Sequence, residues 1–391
     1  MALEGKKICV LGAGIGGLAA ATALAQRGAE VTVMEQSAEI TEVGAGLQIG
    51  PNGFAVMRAL GAGDALAGCS VRAKGVSLLD GTTDKPVFGL DFQRFADDQE
   101  YYFVHRADLV DVLADAARKA GVKIRLLQQV DTVSVQDGHA HVVMKQGGGS
   151  SPDVLIGADG LHSKVRVALN GDRKPFFTRQ VAWRTIIPAL GNEPAVARVY
   201  MGAGKHLVVY PLRDGKMLNI VAVQERDEWA AEGWNFRDDP ANLRAVFADF
   251  GPEVQGLLDR VKDVYLWGLF RHPVAETWHK GRVAILGDAA HPTLPFMAQG
   301  AVMALEDAWV LADALDKADT VEAGLASYQT RRRPRAARVI DAASKNARNY
   351  HLSPGPLRFA AHTALRLGST FAPSLAMKKF DWIYKHDVTR A

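Results

Sequence analysis

The stretch KICVLGAGIGG, residues 7–17, decides the fold. Its apolar beginning predicts a buried strand, and the alanine-rich residues 18–27 after it predict a helix. Gly12, Gly14 and Gly17 form a G-x-G-x-x-G pattern between the two. In such a turn the first glycine permits a tight bend, the second admits a pyrophosphate, and the third allows the helix to pack closely on the strand. The stretch therefore predicts the first half of a dinucleotide-binding unit.

An acidic residue follows where such a unit needs one. Residues 31–34 are a second short apolar run, and Glu35 comes directly after it. A carboxylate at the end of the second strand can accept hydrogen bonds from a ribose. Because strand, turn, helix and acid coincide, we favour a dinucleotide site over a chance glycine-rich turn.

Two later apolar runs also end in small residues and an aspartate, Asp159 and Asp288. Ligands of open α/β folds bind beyond the carboxyl ends of the strands, so one dinucleotide could contact both acids. The second run continues through GDAAHP, residues 287–292, to a predicted helix near residue 300. His291 in this loop could titrate near neutral pH, but we expect it to order the backbone around Asp288.

The composition is that of an ordinary globular protein. The chain has 391 residues, 48% hydrophobic and 23% charged, with a net charge of +3. The small net charge does not indicate nucleic-acid binding, and two cysteines argue against a disulfide scaffold or a cysteine-based metal site. We expect no metal. Residues 8–26 carry no charge, but their glycines favour the dinucleotide turn over a membrane span. We expect a cytoplasmic protein without a transmembrane segment.

Residues 176–270 change to alternating, aromatic-rich strands, which predicts an inserted antiparallel sheet. Farther on, a predicted helix over residues 321–349 carries a basic run, Arg331-Arg332-Arg333 with Arg335 and Arg338, and we expect Pro334 to interrupt it. We favour a solvated helix face for this run over a phosphate-binding role. The C-terminal residues 355–391 mix aromatic and basic side chains, which favours packing as a tail or at a dimer interface over membrane contact.

Three elements together resemble one known family. They are the G-x-G-x-x-G turn with Glu35, the Asp159-Gly160 strand end, and the GDAAHP stretch at residues 287–292. In this order they resemble the class A flavoprotein monooxygenases, the single-component aromatic hydroxylases, from residue 7 to about 340. The sequence between these elements resembles the branch of the family that contains salicylate hydroxylase, 3-hydroxybenzoate 6-hydroxylase and 6-hydroxynicotinate 3-monooxygenase.

The resemblance implies an α/β fold in which a Rossmann-like FAD-binding domain carries an inserted antiparallel β-sheet substrate domain and a helical C-terminus. We expect the FAD-binding domain to be discontinuous. The predicted parts are residues 1–75, 101–175 and 271–345 for the FAD-binding domain, 76–100 and 176–270 for the substrate domain, and 346–391 for the C-terminal tail.

The resemblance also implies which residues contact FAD. Each role follows from a matching motif position: Gly12, Gly14 and Gly17 at the pyrophosphate, Glu35 at the adenosine ribose, Val130 at adenine, Arg106 beside the flavin, Asp288 at the ribityl chain, Gly300 and Ala301 at the isoalloxazine, Asp159 at FAD and the reduced nicotinamide, and the carbonyl of Pro295 at the reactive edge of the flavin. One departure is Ala298, which stands where the family often has glycine.

The implied chemistry is the hydroxylation of an electron-rich ring. NADH or NADPH would reduce FAD transiently, since the chain has only one G-x-G-x-x-G unit, and O2 would form a flavin C4a-hydroperoxide that hydroxylates the substrate. The protein must then deprotonate a phenol, exclude water and orient the ring. The implied partners are a small aromatic substrate and O2, with the chain a monomer or a homodimer.

Candidates for these tasks lie in the inserted sheet. His206 and Tyr210 are four residues apart and share one strand face, where they could handle the substrate proton or lie on a solvated surface. Arg184 could pair with a substrate carboxylate or form a structural ion pair, with neighbouring Trp183 on the opposite face. Gln48, in a second glycine-rich loop at residues 42–52, is a further possible substrate contact.

Other functions remain open at this point. Within flavoenzymes the alternatives are an epoxidase, an N-hydroxylase or an isoprenoid reductase. From a different class, a non-catalytic flavin-binding interaction protein would use the C-terminal tail. A plain NAD-dependent dehydrogenase is disfavoured because the two later aspartate-ended strands match the FAD pattern.

Overall fold

The computed structural model describes residues 3–40, 45–95, 100–228, 236–371, 378 and 380–390. The first residues of the second glycine-rich loop, 42–44, and parts of the predicted tail, 372–377, 379 and 391, lie outside the described residues. The strands in chain order are β1 (Lys7–Leu11), β2 (Glu30–Met34), β3 (Gly46–Ile49), β4 (Val71–Arg72), β5 (Gly75–Asp80), β6 (Pro86–Asp91), β7 (Tyr102–His105), β8 (Lys123–Arg125), β9 (Val130–Gln136), β10 (His139–Met144), β11 (Gly149–Ser150), β12 (Val154–Gly157), β13 (Phe176–Pro188), β14 (Val196–Gly202), β15 (Lys205–Leu212), β16 (Met217–Glu225), β17 (Phe236–Asp238), β18 (Val264–Arg271), β19 (His279–Lys280) and β20 (Val283–Ile285).

The helices connect and cover these strands. They are α1 (Ile15–Ala25), α2 (Pro51–Ala59), α3 (Gly63–Gly68), α4 (Phe92–Phe95), α5 (Arg106–Lys119), α6 (Lys164–Asn170), α7 (Pro240–Val246), α8 (Pro252–Asp259), α9 (Gly300–Lys317), α10 (Val321–Tyr350) and α11 (Pro356–Phe371), with a short helix at Asp381–Tyr384 and 3-10 turns at Gly287–Ala289 and Pro295–Met297.

A six-stranded sheet of order β19-β20-β12-β1-β2-β8 forms the centre of the first half of the fold. All neighbouring pairs are parallel except β19 and β20. Both faces of β1 and β12 are covered, so these strands are continuous apolar runs, as parallel strands in α/β proteins usually are. The strand, turn, helix and strand predicted from residues 7–35 are confirmed as β1, α1 and β2.

The second large sheet has eight strands in the order β17-β18-β13-β16-β15-β14-β5-β6. Its strands come from residues 75–91 and 176–271. The sheet is antiparallel, as predicted, with one exception. β5, which comes from the earlier stretch of chain, pairs with β14 in parallel. One face packs against α7 and α8 in an apolar core that contains Trp183 and Phe247. The opposite face packs in part against Leu294 and Phe296 and otherwise lines a cavity.

The C-terminal part is helical, as predicted. α10 runs without interruption through Pro334 to Tyr350, so the expected break at this proline is wrong. The helix also passes residue 346, where the sequence suggested that the tail begins. No helix among the described residues is both long and apolar enough to span a membrane.

Candidate active site

A cavity of about 1300 Å³ lies between the carboxyl ends of the parallel strands and the free face of the eight-stranded sheet. The predicted site residues come from nine separate stretches of chain, and all except Gly17 line this one cavity. They are Gly12, Gly14, Glu35, Gln48, Arg106, Val130, Asp159, Arg184, His206, Tyr210, Asp288, Pro295, Gly300 and Ala301.

The glycine turn has no room for side chains. Gly12 has a φ of +100°, and a Cβ there would lie 2.4 Å from the carbonyl oxygen of Ala158. A Cβ on Gly17 would lie 2.0 Å from the carbonyl oxygen of Gly12. Gly17 therefore packs the helix onto the turn, while Gly14 begins α1 without a side-chain cap and leaves the helix N-terminus open towards the cavity.

The Glu35 side chain hydrogen-bonds to the glycine turn. Its carboxylate accepts hydrogen bonds from the backbone N–H of Ala13 at 2.8 Å and of Ser37 at 2.9 Å. These bonds hold the carboxylate at the rim of the cavity, next to the glycine turn.

The Asp159 carboxylate is engaged by the start of α6. It accepts hydrogen bonds from the Ser163 hydroxyl at 2.6 Å and from the backbone N–H of Lys164 at 2.7 Å. Burial raises the pKa of Asp159, while these hydrogen bonds oppose the shift. The first function of this carboxylate is thus to cap a helix at the wall of the cavity.

Asp288 is open to the cavity. Desolvation inside this enclosed space raises the pKa of its carboxyl, and the nearby charges of His291 and Arg106 oppose the shift. Arg106 begins α5 beside it, and burial lowers the pKa of this arginine, while Asp288 opposes that shift. A carboxyl group and a guanidinium from distant parts of the sequence thus lie at the same cavity.

A buried ionic network lies beneath the loop that carries Asp288. His291 forms a short hydrogen bond with Asp307, whose carboxylate also accepts the backbone N–H of Gly287 at 3.0 Å. The predicted structural role of His291 is therefore confirmed. Burial would raise the pKa of Asp307, but the charges of His291 and Arg332 outweigh it and lower this pKa to about 2.

Arg332 completes this network and corrects the expectation of a solvated face at its own position in the basic run, while Arg333 and Arg338 are exposed as expected. Its side chain is 1% exposed and donates to Asp307 and to Glu306, each at 2.7 Å. Arg335 also donates to Glu306, at 2.8 Å. A solvated face is wrong for Arg332, and so is a phosphate-binding role, because its donors are already used by buried carboxylates.

The loop at the cavity ends with Ala298 in the left-handed region, at φ 52° and ψ 32°. This is the position where the sequence departs from the family glycine, and the backbone conformation is the one that glycine adopts without strain. Gln299 and Gly300 then begin α9 without a side-chain cap, so backbone N–H groups of this helix also face the cavity.

Arg184 is a half-buried cation without an acidic partner among the described residues. Its Nε has no hydrogen-bond partner there, and its guanidinium lies 4.8 Å from the centroid of the Trp267 ring. Burial, with the like charge of Arg106, lowers the pKa of Arg184 to about 10. Neighbouring Trp183 points to the opposite face, as predicted, and is fully buried in the core there. Because Arg184 has no acidic partner among the described residues, a structural ion pair of Arg184 finds no support.

Tyr210 belongs to a group of buried tyrosines around Gln48. Tyr101 donates to Gln48 Oε1 at 2.9 Å, and burial raises the pKa of Tyr210. Tyr384, from the C-terminal segment, lines the same cavity, and burial raises its pKa to about 12. Sequence reasoning did not identify Tyr101 or Tyr384, because no local pattern distinguishes them from core aromatics.

His206 is buried, so the alternative of a solvated sheet face is wrong. It is 2% exposed, and its Nδ1 lies 2.7 Å from Nε2 of His351. The Phe296 ring lies beside it, with ring centroids 5.5 Å apart. Burial, with the neighbouring His351, lowers the pKa of His206 well below the usual histidine value, so its imidazole is neutral at neutral pH.

Comparison with known proteins identifies the family of the chain. A family described as an FAD binding domain matches residues 6–343. The chain is 31% identical to 3-amino-4-hydroxybenzoate 2-monooxygenase of Streptomyces cremeus, over 90% of this chain and 89% of that protein. It is 34% identical to 3-hydroxybenzoate 6-hydroxylase of Klebsiella oxytoca, over 88% of each.

A solved structure gives the same result for the fold. HpxO of Klebsiella pneumoniae, in complex with FAD and uric acid, superposes with a TM-score of 0.84 at 25% identity, covering 96% of both chains. The resemblance inferred from the motifs is thereby confirmed. The chain belongs to the FAD-binding-domain family of flavoprotein monooxygenases, the aromatic hydroxylases.

Proposed function

We propose that this chain is an NAD(P)H- and O2-dependent monooxygenase that hydroxylates a small aromatic ring carrying a hydroxyl and a carboxylate. One observation carries the proposal: a neutral, buried histidine, His206, lines the same cavity as the glycine turn, together with Arg184, a half-buried cation that has no acidic partner among the described residues. The histidine suits a phenol, and the arginine suits a carboxylate.

The donors and acceptors of the cavity wall fit FAD. The glycine turn and the N-terminus of α1 would hold the pyrophosphate, and Glu35 would hold the adenosine ribose. The adenine would lie near Val130, and the ribityl chain near Asp288. Further contacts come from Arg106, from the carbonyl of Pro295, and from the backbone at Gly300 and Ala301. When bound, FAD supplies the redox chemistry, with electrons from NAD(P)H and one oxygen atom from O2.

The side chains of the chain itself orient the substrate. The Arg184 guanidinium, held over Trp267, would form two parallel hydrogen bonds with the substrate carboxylate. His206 would accept the phenolic proton, since deprotonation makes the ring more electron-rich. Tyr210 and Gln48 would hydrogen-bond the ring oxygens, and Phe296 would help to exclude water.

The remaining parts of the proposal concern organisation. We propose that the eight-stranded sheet is the substrate domain, in the divisions given above, and that NADH or NADPH binds only transiently beside Asp159. We further propose that the enzyme works in the cytoplasm, where NAD(P)H is supplied, as a monomer or a homodimer.

The test is NADH and NADPH oxidation by purified, FAD-loaded protein with a panel of hydroxybenzoates and hydroxypyridine carboxylates. Peroxide release is followed in parallel. We expect at least one ligand to accelerate oxidation with little peroxide. The proposal fails if no carboxylated phenol or hydroxypyridine changes the rate, or if every accelerating ligand converts all the consumed O2 to peroxide.

A further inference from the structure

We propose that His206, His351 and Glu225 form a proton relay that connects the substrate end of the cavity with solvent. The inference rests on the proposed function, in which His206 receives the proton of a phenolic substrate. It adds two residues, His351 and Glu225, that no sequence motif pointed to, and it gives each a task in that step.

The three side chains form one unbroken line of short contacts. Nδ1 of His206 lies 2.7 Å from Nε2 of His351, and Nδ1 of His351 lies 2.7 Å from Oε1 of Glu225. The His206 ring is buried at the cavity wall, and the His351 side chain is 2% exposed. The Glu225 side chain is 51% exposed. The line therefore begins at the ligand space and ends at the surface.

The backbone holds the line in place. Glu225 is the last residue of β16, and its N–H donates to the carbonyl of Gly204 at 2.8 Å. The N–H of Gly204 donates in turn to the carbonyl of His351 at 3.2 Å. His351 directly follows the end of α10. The turn before β15 thus holds Glu225 and His351 next to each other through the backbone of Gly204.

The hydrogen bonds determine the tautomers. A carboxylate can only accept, so Nδ1 of His351 carries a hydrogen towards Glu225, and its Nε2 is an acceptor when the ring is neutral. Nδ1 of His206 must therefore carry a hydrogen towards His351. This leaves the lone pair on Nε2 of His206, which has no hydrogen-bond partner among the described residues, as the acceptor for a substrate proton.

Each proton moves one step along this line. The phenolic O–H bond breaks as Nε2 of His206 takes the proton, and Nδ1 of His206 passes its own hydrogen to Nε2 of His351. Nδ1 of His351 passes its hydrogen to Glu225, which releases a proton to water. When the hydroxylated ring regains its phenolic proton, the reverse movement restores the starting tautomers.

Burial makes a protonated His206 unfavourable, and a relay avoids that state. A proton that remained on His206 would leave an imidazolium in an apolar site beside Phe296 and Tyr350, at a large cost in desolvation. The low pKa of His206 has the same origin, and it prevents this ring from storing the proton. Transfer to a half-exposed carboxylate moves the positive charge of the proton out of the cavity and leaves the phenolate of the substrate in place.

The test uses FAD-loaded protein without NAD(P)H and the probe 3-hydroxy-4-nitrobenzoate, whose phenolate is coloured. Stopped-flow absorbance follows phenolate formation in the site, and a pH indicator in weak buffer follows proton release. Quenching of flavin fluorescence reports probe binding separately. The substitutions are Glu225→Gln, which keeps the hydrogen bond to His351, His351→Phe, and His351→Ala, which leaves space for added imidazole. The matched control is Glu228→Gln, an exposed acid three residues after Glu225.

For the wild type and Glu228→Gln we expect phenolate formation with matched proton release. Glu225→Gln should slow both by about tenfold or more, with probe affinity unchanged, since positioned proton transfer contributes roughly a hundredfold or more to rates. His351→Phe should slow them further. Added imidazole should restore the rate in His351→Ala, which a purely structural role would not predict.

Equal phenolate and proton-release rates in the wild type and Glu225→Gln would overturn the relay, even if His351→Phe does not fold. Failure of imidazole to rescue a folded His351→Ala would also count against it. Failure of the proposed function gives a different result, because the wild type itself would then neither bind the probe nor form its phenolate.

Discussion

Arg332 and Asp307 form a fully buried ion pair, in which Nε of Arg332 donates to Oδ1 of Asp307 at 2.7 Å. Asp307 in turn holds His291 and the backbone N–H of Gly287, directly before Asp288. The charge network thus fixes the loop that meets the ribityl side of the proposed flavin site. This ion pair links α10 to the cavity.

Removing the Arg332 side chain should therefore destabilise the folded protein. Arg332→Met removes the cation that Asp307 and Glu306 share and leaves them with His291 and Arg335 as their remaining partners. We expect this loss to lower the free energy of unfolding by about 3–5 kcal/mol. Urea unfolding measures the loss. The control is Arg331→Met, whose partly exposed pair with Asp313 should contribute at most about 1 kcal/mol. Equal losses in the two variants would contradict a special role for the buried pair.

Gly17→Ala should disrupt the glycine turn. The added Cβ would lie 2.0 Å from the carbonyl oxygen of Gly12, so α1 must move away from β1, at a cost of about 1–3 kcal/mol or more. We expect weaker FAD retention on dialysis together with a lower melting temperature. Gly68→Ala, where a Cβ meets no atom within 4 Å, is the control. A variant that retains FAD as tightly as the wild type would show that the turn tolerates the shift.

Arg184→Met should separate carboxylated from uncharged ligands. Loss of a buried, charge-assisted pair costs about 1.5–3 kcal/mol, which corresponds to roughly tenfold to a hundredfold weaker binding of 3-hydroxybenzoate. Phenol, which has no carboxylate, should bind with unchanged affinity. Arg226→Met, a substitution of an arginine that lies over Trp183, is the control. If phenol and 3-hydroxybenzoate lose affinity equally, Arg184 shapes the cavity and does not pair with the carboxylate.

The pH dependence should reflect the low pKa of His206. A protonated imidazole cannot accept the phenolic proton, so activity is lost only when the pH falls through the pKa of His206 in the folded enzyme. The titratable side chains against His206 are His351 and Tyr350. Because burial lowers this pKa, the acid limb of kcat/KM should have its midpoint below 6.5, the ordinary histidine value.

Two substitutions test whether His206 is the group that causes the acid limb. His206→Gln should lower kcat/KM by roughly a hundredfold or more and remove the acid limb, whereas His139→Gln, on an exposed strand position, should change neither. An acid limb that persists unchanged in His206→Gln would assign it to another group.

Local patterns in the sequence predicted those parts of the fold that local physics controls. The turn at Gly12 and Gly17 was predictable because only glycine fits such a contact between helix and strand. The shared strand face of His206 and Tyr210 was predictable because side chains alternate along a strand. Each of these inferences needs only a few neighbouring residues.

Other parts depend on contacts between distant segments. Arg332 belongs to a basic run that suggests a solvated face, and it is buried only because Glu306 and Asp307 on α9 face it. From the C-terminal segment, His351 contacts His206 and Tyr384 lines the cavity, and no periodic pattern marks either residue. These placements follow from how the helices pack, which the local sequence does not specify.

The most direct test of the central claim is the fate of isotopically labelled O2. FAD-loaded protein turns over with NADH or NADPH and the carboxylated phenol or hydroxypyridine that most accelerates oxidation, and mass spectrometry of the product measures incorporation. The proposed function predicts one labelled oxygen atom in the aromatic product for each reduced nicotinamide consumed. An unlabelled aromatic ring, with all the label in peroxide or water, would contradict it.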